Sequence, residues 1–303
     1  MQRTTDQSAP IPCCKLIDAV DFFRPEMVEH IRRIGEEPRF HSKQWEYAML
    51  LEARRRHAAD ARCLVGLGCG CELSIPAICE GAEQVITTDL YGEKGAWNTA
   101  ARRPDECWPS LACLRVHTMD MRRIDLPRES ADFVWAICAI EHVGGMEDVI
   151  SVVRQVKNLL RPEGIFFLST EYSFSARTFR WNERNSSNLY FSKTDLRRFF
   201  EDTGLHLVEP LDLRISSHPF NIPVWDLLER AGAINLPHVL YRKQPAPFFG
   251  TYAGTVTLVL SRVDRGNDRI LEDAAQHESL KSLFDTGRRI SRRLSPPWRW
   301  WWQ

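Results

Sequence analysis

Five short apolar runs alternate with helical stretches between Arg62 and Ser169, and this alternation limits the fold more than any other feature of the chain. The runs cover residues 63–67, 84–88, 114–117, 133–139 and 165–169. Short strands of nearly continuous apolar character are typical of a parallel sheet that helices cover on both faces. The sequence therefore predicts a doubly wound α/β fold with a mostly parallel sheet.

Segments on both sides of this region complete the predicted organisation. Apolar spacing predicts two helices within 25–56, a helix over 147–160 and a helix over 194–203 that ends at Gly204. A sixth strand is expected over 205–208 and a seventh over 255–260. We therefore divide the chain into a helical N-terminal cap (1–60), a sheet domain (61–263) and a C-terminal tail (264–303). Lids or insertions are expected within the domain at about 171–190 and 210–250.

The tail is basic and rich in tryptophan, and it closes with Pro296-Pro297-Trp298-Arg299-Trp300-Trp301-Trp302. Arginine and tryptophan partition well into the surface of an anionic membrane, so one interpretation is peripheral membrane contact. A disordered terminus has the same composition, and the sequence leaves both interpretations open.

Charge and cysteine content narrow the classes of function. Forty basic residues balance forty acidic ones, which gives no strong signal for nucleic-acid binding. Nine cysteines without an export signal indicate reduced thiols in a cytoplasmic protein, peripheral to the inner face of the membrane if the tail binds there. Cys107, Cys113 and His117 lack a fourth ligand, and we expect no metal site.

The glycine-rich turn Gly66-Leu67-Gly68-Cys69-Gly70 follows the first predicted strand. Glycines at such a turn let a ligand approach the backbone, because no Cβ atom is in the way. Asp89 ends the second strand, 19 residues beyond Gly70, where a carboxylate accepts the hydroxyls of a ribose. An ordinary strand-end cap is the alternative for Asp89, and the upstream glycines favour the ligand.

Asp120 and Met121 come just past the third strand. Asp120 is either an acceptor for an adenine amino group, with Met121 against the ring, or a loop aspartate that caps a turn. A nicotinamide enzyme also uses a glycine turn and an acid at the position of Asp89, so these residues alone predict only nucleotide binding.

Five segments in order identify a family. They are Leu64-Val65-Gly66-Leu67-Gly68-Cys69-Gly70, Thr88-Asp89-Leu90, Met119-Asp120-Met121, Ser130-Ala131-Asp132-Phe133-Val134-Trp135 with Ile140-Glu141-His142-Val143, and Leu160-Arg161-Pro162-Glu163-Gly164. Across residues 62–208 the chain resembles class I S-adenosylmethionine-dependent methyltransferases. The resemblance implies a Rossmann-like sheet of seven strands with a reversed last strand, and S-adenosylmethionine as cofactor. It implies cofactor contacts at Gly66, Gly68, Gly70, Asp89, Leu90, Asp120, Met121 and Cys138.

A narrower resemblance concerns the acceptor. Gly68-Cys69-Gly70-Cys71-Glu72, Thr88-Asp89-Leu90-Tyr91 and Ile140-Glu141-His142-Val143-Gly144-Gly145 are similar to a little-characterised bacterial subgroup. Its members are often associated with surface-glycan biosynthesis, which implies a glycan or another small molecule as acceptor.

One departure from the family concerns the acid that usually precedes the glycines. Leu64 or Gly66 stands at that position, depending on register, and Glu72 is a candidate substitute. In quinone-biosynthesis O-methyltransferases a Glu-x-x-Glu-His stretch binds a metal, but Cys138 stands where the first glutamate would be. The metal ligands therefore do not carry over.

The chemistry points to a base and to an acceptor wall. Methyl transfer needs the nucleophile aligned with the methyl group, and a hydroxyl acceptor benefits from a positioned base. His142 follows the fourth strand and is our candidate base; a hydrogen bond to a neighbouring loop is its alternative role. Glu171, Tyr172 and Trp181 either wall the acceptor pocket or pack the insertion. Trp45 and Tyr47 of the N-terminal helices either close over the cofactor or pack in the core.

The sequence thus predicts a methyltransferase that acts on an oxygen atom of a small-molecule or glycan acceptor. A non-catalytic cofactor-binding or scaffold domain is the alternative, because the acid before the glycines is absent. An RNA or protein methyltransferase is less favoured by the neutral charge. The oligomeric state is left open.

Overall fold

A computed structural model of the chain describes residues 9–92, 102–174, 179–183, 186–221, 242–243 and 252–273, together with 275 and 282. One large sheet and six α-helices account for most of this part. The helices are α1 Pro25–Arg33, α2 Ser42–His57, α3 Ile75–Cys79, α4 Pro104–Cys107, α5 Met146–Leu159 and α6 Lys193–Thr203. Short 3-10 helices lie at Ala19–Phe23, Ile140–His142 and Pro219–Asn221.

Five parallel strands form one side of the sheet, up to its edge, at the places that the apolar runs predict. They are β2 Cys63–Leu67, β3 Gln84–Asp89, β4 Leu114–Thr118, β5 Ala131–Ile137 and β6 Leu160–Ser173, and their spatial order is β4-β3-β2-β5-β6. Because the order reverses at β2, the crevice beside the carboxyl end of β2 is the usual ligand position of such a sheet. The predicted doubly wound architecture is confirmed.

The strand next to β6 in the sheet runs antiparallel to it. Tyr252–Ser261 (β12) pairs antiparallel with β6, from Ala253 opposite Ser173 to Ser261 opposite Ile165. The predicted sixth strand is present as β9, His206–Leu207, which pairs with the end of β12. The reversed last strand expected from the family resemblance is therefore present.

Four short strands of the large sheet were not predicted. They are β1 Lys15–Leu16, β10 Leu211–Asp212, β11 Arg242–Lys243 and β13 Ile270–Leu271, and they bring the described part of this sheet to eleven strands. Two-residue strands carry no alternation that a sequence pattern reveals.

The segment expected as a loop or lid at 171–190 contains regular structure. Strand β6 continues to Ser173, and β7 Phe179–Glu183 pairs with β8 Ser186–Tyr190 as an antiparallel hairpin. The hairpin lies against the 3-10 helix at Ile140–His142. The insertion thus covers the edge at which β5 and β6 end.

Burial follows the expected pattern of apolar residues. The large side chains that are fully buried include Trp45, Trp135, Phe133, Phe166 and Phe167, from α2, β5 and β6. Within the described residues, the helices are all too short or too polar to cross a membrane. The tryptophan-rich end of the tail lies outside the described residues.

Candidate active site

The glycine turn after β2 has the backbone geometry that only glycine adopts without strain. Gly68 and Gly70 have φ angles of +65° and +50°. A Cβ atom on Gly68 would lie 2.5 Å from Met121 Cε and 2.7 Å from Ala139 Cβ. We call the turn at Gly68 and Gly70 the cradle. The missing side chain of Gly68 leaves room for Met121 and Ala139, whereas a Cβ atom on Gly70 would meet only Asp89 Oδ2, at 3.8 Å, so the backbone there is open to a ligand.

Asp89 closes this turn from the end of β3. Its Oδ2 accepts the Gly70 amide at 2.8 Å, and its Oδ1 accepts the amide of Leu90 at 2.6 Å. Tyr91 completes the contact, because its hydroxyl donates to the Gly70 carbonyl at 3.3 Å. Tyr91 has a φ angle of +38°, a strained value for a residue with a side chain. Strain of this kind concentrates at functional sites.

The two residues past β4 differ in their surroundings. Met121 lies against Gly68, so the third predicted segment meets the first. Asp120 binds Arg122 instead, with Nε at 2.9 and 3.0 Å from its two oxygens and Nη2 at 2.5 Å. This pairing holds the pKa of Asp120 below its usual range. A contact from Asp120 to an adenine amino group would use the lone pairs that Arg122 leaves open.

Gly66 lies inside β2, opposite Thr87 of β3 and Trp135 of β5. A Cβ atom on Gly66 would clash with the Trp135 ring and with the Cys69 sulfur. The Gly66 carbonyl accepts a hydrogen bond from the Thr88 hydroxyl at 2.9 Å. The space of the missing side chain is therefore filled by an indole. A direct cofactor contact from Gly66 stays a prediction.

Glu72 is joined to the same indole. Trp135 Nε1 donates to Glu72 Oε2 at 3.1 Å, and the Ser74 hydroxyl donates to the same oxygen at 3.4 Å. The structure thus brings a carboxylate beside the strand position at which the family's acid is absent. Burial raises the pKa of Glu72 to about 8, with Glu46 adding to the rise and Lys43 opposing it.

Two predicted site residues, Cys138 and His142, lie just past β5, with the buried Glu141 between them. Cys138 has a φ angle of +44°, and its amide donates to the Ser169 carbonyl of β6 at 3.0 Å. Glu141 is fully buried, accepts the Thr170 hydroxyl at 3.3 Å, and has its pKa raised by burial to about 7. His142 ends the 3-10 helix, is half-buried, and lies under the β7–β8 hairpin.

Helix α2 adds charged groups to this edge that the sequence analysis missed. Lys43 Nζ donates to Glu46 Oε2 at 2.9 Å, and the Ser169 hydroxyl donates to the same oxygen at 3.1 Å. Ser169 also contacts the Cys138 sulfur at 3.6 Å. Lysine and glutamate three residues apart are common on exposed helix surfaces, so their spacing gave no signal of a site.

The aromatic residues of α2, Trp45 and Tyr47, were expected either to pack in the core or to close over the cofactor, and they differ in their surroundings. Trp45 is fully buried and donates from Nε1 to Asp21 Oδ2 at 2.8 Å, which is core packing. Tyr47 is partly buried, and Glu72 and Lys43 both act on its pKa, which burial raises. Tyr47 therefore lies near Glu72 and Lys43, and its closure over the cofactor stays a prediction.

The predicted acceptor wall is described in part. Glu171 is partly buried at the end of β6, whereas Tyr172 is 3% exposed and packs edge-on against Phe174 with ring centroids 5.2 Å apart. The side chain of Trp181 lies outside the described residues. Glu171 therefore suits an acceptor pocket better than Tyr172 does.

Comparison with known proteins agrees with this geometry. Residues 65–168 match a methyltransferase domain family. No curated protein matches the chain in sequence.

Similar solved structures include three methyltransferases. One is an S-adenosylmethionine-dependent methyltransferase from Clostridium acetobutylicum, at 10% identity and a TM-score of 0.46, covering 80% of this chain and 99% of that one. The second is 1,6-didemethyltoxoflavin-N1-methyltransferase from Burkholderia thailandensis, at 13% identity and a TM-score of 0.48, covering 81% of this chain and 94% of that one. The third is geranyl diphosphate C-methyltransferase from Streptomyces coelicolor, at 15% identity and a TM-score of 0.49, covering 82% of this chain and 88% of that one. Identities and TM-scores this low do not indicate which acceptor this chain methylates.

The match covers β2 to β6, which hold the glycine turn, Asp89 and the segment from Cys138 to His142. Residues 65–168, about a third of the chain, therefore match a methyltransferase domain, as the resemblance to the class I S-adenosylmethionine-dependent family predicts.

Proposed function

We propose that this domain transfers the methyl group of S-adenosylmethionine to an oxygen atom of a small-molecule or glycan acceptor. The acceptor oxygen forms a bond to the methyl carbon as the carbon–sulfur bond breaks, the bonding pair stays on sulfur, and the hydroxyl proton passes to a base. The bound sulfonium supplies the activated methyl group. The protein's part is to orient the reactants and exclude water, which supplies roughly 7–11 kcal/mol in favourable cases.

One observation carries the proposal: three segments that follow three adjacent strands meet at one point. Asp89 holds the Gly70 amide at 2.8 Å, and Met121 lies against Gly68. The carboxylate of Asp89 lies beside Gly70 and the thioether of Met121 lies beside Gly68, so a ligand that approaches this turn meets both. We assign Asp89 to the ribose hydroxyls, the Gly68–Gly70 backbone to close ligand approach, and Met121 to the adenine ring.

The cofactor half of the proposal is tested with Asp89→Asn. Asparagine removes the charge and keeps one of the two acceptor oxygens, so the Gly70 amide can stay bound while the amide of the adjacent Leu90 loses its partner. A strong acceptor for ribose hydroxyls is thereby weakened. Calorimetry should show S-adenosylmethionine affinity reduced by about tenfold or more, the order of one lost charged hydrogen bond. NAD should not bind the unmodified protein.

Asp132→Asn is the matched control. Asp132 caps the opposite, amino end of β2, where its Oδ2 accepts the amides of Arg62 and Cys63 at 3.0 and 2.8 Å. We expect its cofactor affinity to equal that of the unmodified protein. Equal affinity in Asp89→Asn as well would remove the ribose assignment, and no binding to the folded unmodified protein would refute the proposal as a whole.

His142 is proposed as the base that takes the hydroxyl proton. Its position past β5, beneath the hairpin, supports this role, because ligands of open α/β sheets lie outside the carboxyl ends of the strands. His142→Ala should lower methyl transfer to a hydroxylated acceptor by about 10²–10⁴-fold while cofactor affinity stays unchanged. Transfer of radiolabelled methyl groups to glycans and small alcohols provides the measurement, and undiminished transfer by the variant would exclude His142.

The glycan acceptor and the cytoplasmic location remain part of the proposal, supported by the subgroup motifs and by the nine cysteines, an odd number that favours reduced thiols. The basic, tryptophan-rich tail would bring the site to a lipid-linked acceptor if it lies on an anionic membrane. Sedimentation with anionic and neutral vesicles tests that contact, and equal recovery with both would exclude it.

A further inference from the structure

Three side chains of types that commonly bind metal ions meet at one point of the described structure. Cys13 precedes β1, His57 is the last residue of α2, and Glu209 follows β9. One ligand atom of each residue (the Cys13 sulfur, a His57 ring nitrogen and a Glu209 carboxylate oxygen) lies within 4.8 Å of the other two. We call these residues the Cys–His–Glu cluster. The sequence led us to expect no metal site; these three residues are far apart in the chain and form no spacing motif that would have revealed one.

The cluster lies towards the edge of the sheet where the parallel strands begin, away from the cofactor site. Helix α2 starts beside the carboxyl end of β6, where Glu46 accepts the Ser169 hydroxyl. Its sixteen residues span about 24 Å, so His57 lies towards the opposite edge. Glu209 follows β9, which pairs with the last residues of β12, beside the amino end of β6. A ligand held by the cluster is therefore remote from the cradle.

A buried ring nitrogen of His57 indicates a ligand at this point. Within the described residues, Nε2 of His57 is buried and has no hydrogen-bond partner. It lies 3.9 Å from Glu209 Oε2, which is too far for a hydrogen bond. Buried polar atoms of native proteins nearly always have a partner, so this nitrogen suits a ligand that the chain itself does not provide. The His57 side chain is 13% exposed, which leaves the cluster a route to solvent.

The other two members of the cluster are held in place by their neighbours. Glu209 Oε1 accepts the backbone amides of Cys13 and Cys14, the latter at 2.9 Å. Glu209 Oε2 accepts Arg56 Nη2 at 3.1 Å, and Arg56 Nη1 donates to the Ile11 carbonyl at 2.6 Å and to the Cys13 sulfur at 3.4 Å. A carboxylate oxygen accepts two contacts, so Oε2 keeps a lone pair for an ion. Arg56 is then an outer partner that orients two of the ligands.

A cysteine, a histidine and an acid also form catalytic triads, but the geometry here is different. In a triad the nucleophile and the acid lie at opposite nitrogens of the imidazole ring. In the cluster, one ring nitrogen lies within 4.8 Å of both the Cys13 sulfur and a Glu209 oxygen. Cys13 is also fully buried, so a substrate does not reach its sulfur. Three donor atoms that converge on one point are the arrangement of metal ligands.

The charges around the cluster decide which class of ion it suits. Further charged side chains that act on Cys13 or His57 are Glu52, Arg55, Arg56 and Arg265. With a Cys13 thiolate and Glu209 included, three negative charges face three positive ones. The surroundings therefore do not attract a cation by charge alone, which disfavours a hard ion such as Ca²⁺. Thiolate and imidazole ligands instead select softer ions such as Zn²⁺ through directed bonds.

We propose that the Cys–His–Glu cluster binds one zinc ion through Cys13 Sγ, His57 Nε2 and Glu209 Oε2, with a water molecule as fourth ligand. In a tetrahedral zinc site of usual bond lengths, nitrogen and oxygen ligands are about 3.4 Å apart. The observed 3.9 Å between Nε2 and Oε2 is closed by a small side-chain rotation. Burial raises the pKa of the Cys13 thiol, so this thiol carries its proton until the zinc–sulfur bond forms and the proton passes to water.

The ion would have a structural role. It joins the segment before β1, the end of α2 and the segment after β9, which are distant in the chain. Strand β1 has only two residues, so a bond at Cys13 fixes it against β12 more firmly than its own pairing does. An ion that binds the folded chain alone stabilises it by mass action. This inference is independent of the proposed function, because it concerns the other edge of the sheet.

The first measurement uses the unmodified full-length chain, freed of metal by a chelator and kept reduced without added thiols. Titration with zinc against a chromophoric chelator gives the number of bound ions and the Kd. We expect one ion that depends on the cluster, with a Kd of about 1 μM or below. Zinc at about 100 times this Kd should raise the folding equilibrium constant about 100-fold, which urea unfolding measures.

Cys13→Ser and Cys14→Ser form a matched pair of variants. Each replaces a fully buried thiol with a hydroxyl, but the Cys14 sulfur accepts the Val259 amide at 3.1 Å and lies outside the cluster. Cobalt(II) serves as the spectroscopic probe, because a bond from a thiolate to cobalt gives an intense near-ultraviolet band. We expect this band in the unmodified chain and in Cys14→Ser, and its loss in Cys13→Ser.

His57→Gln and His206→Gln form the second pair. His57→Gln removes a direct ligand, so zinc affinity should fall by more than the roughly 10–100-fold typical of an outer partner. His206 also lies beside carboxylates, but its Nδ1 is 2.7 Å from Asp268 Oδ2 at an exposed position. His206→Gln should therefore bind zinc as the unmodified chain does. Affinity for S-adenosylmethionine should be the same in both variants.

Three results would overturn the inference. They are zinc binding by the unmodified chain only at millimolar concentrations, an undiminished cobalt–thiolate band in Cys13→Ser, and equal zinc affinity in His57→Gln and His206→Gln. If Cys13→Ser does not fold, His57→Gln decides, because the Nε2 atom that it removes has no hydrogen bond to lose. Loss of S-adenosylmethionine binding in the unmodified chain would refute the proposed function and leave the zinc site standing.

Discussion

Gly68 and Gly81 share a backbone conformation but differ in what surrounds them. Their φ angles are +65° and +72°. A Cβ atom on Gly81 would meet nothing within 4 Å, whereas one on Gly68 would meet Met121 and Ala139. Comparison of the two positions therefore separates the cost of backbone strain from the cost of filling the cradle.

Gly81→Ala should lower the free energy of unfolding by about 1 kcal/mol, the cost of a left-handed conformation for a residue with a Cβ atom. Gly68→Ala should cost about 1–3 kcal/mol more, because the added methyl group also displaces packed neighbours. Urea unfolding measures both. Cofactor affinity should fall in Gly68→Ala alone; an equal fall in both variants would mean that the cradle has no special role.

Single residues also mark what the sequence could predict about the site. Gly68, Gly70, Asp89 and Met121 follow the ends of predicted strands, and parallel strands bring their carboxyl ends to one edge. Their proximity was therefore predictable from position alone. The contact of Trp135 with Glu72 was not, because it depends on the space that Gly66 leaves inside a strand.

Helix α2 shows the same limit for a whole element. Its existence follows from the sequence, and the structure has it at Ser42–His57. Which of its faces meets the sheet is decided by partners distant in the chain, since nine of its sixteen residues are buried. Lys43 and Glu46 lie beside the carboxyl end of β6 for this reason, although a lysine and a glutamate at this spacing are common on exposed helix surfaces.

A buried hydrogen bond joins helices α1 and α2, and the carboxylate that makes it gives their packing a dependence on pH. His30 Nε2 lies 3.0 Å from Glu52 Oε2, and Arg55 donates to both oxygens of Glu52 at 2.7 and 2.8 Å. Burial opposes ionisation of Glu52, but the hydrogen bonds from Arg55 and His30 outweigh it and lower the pKa to about 2.

Because the folded pKa of Glu52 lies below its unfolded value near 4.5, the stabilisation is complete above pH 4.5 and is lost as the pH falls towards 2. Glu52→Gln should therefore be less stable than the unmodified chain by about 2 kcal/mol at pH 6, with a smaller difference at pH 3. Urea unfolding at both pH values measures this. A difference that stays constant with pH would show that Glu52 acts through packing instead of charge.

On the scale of the whole molecule, the N-terminal segment is part of the sheet. Strand β1 pairs antiparallel with β12 on one side and parallel with β10 on the other, and β13 follows β10. Within the described residues, β10 and β13 therefore join the sheet through β1. The first sixty residues contain the two expected helices, but β1 makes them continuous with the sheet domain. A two-residue strand gains its stability from long-range partners, which is why the sequence pattern did not reveal it.

Removal of residues 1–17 should consequently destabilise the sheet at a distance. The deletion removes the buried side chains Ile11, Cys13, Cys14, Leu16 and Ile17, leaves β12 with an open edge and detaches β10 and β13. Loss of two or more buried aliphatic side chains costs about 3 kcal/mol or more, which urea unfolding will show as an earlier transition. Deletion of residues 1–8 alone is the matched control and should unfold with the full-length chain. If the longer deletion also unfolds at the full-length midpoint, β1 is dispensable and the stable sheet ends at β12. If the deletion unfolds early and also loses cofactor affinity, the strands from β12 to β13 support the cofactor site. Helix α2 would carry this effect, because it contacts β12, β5 and β6.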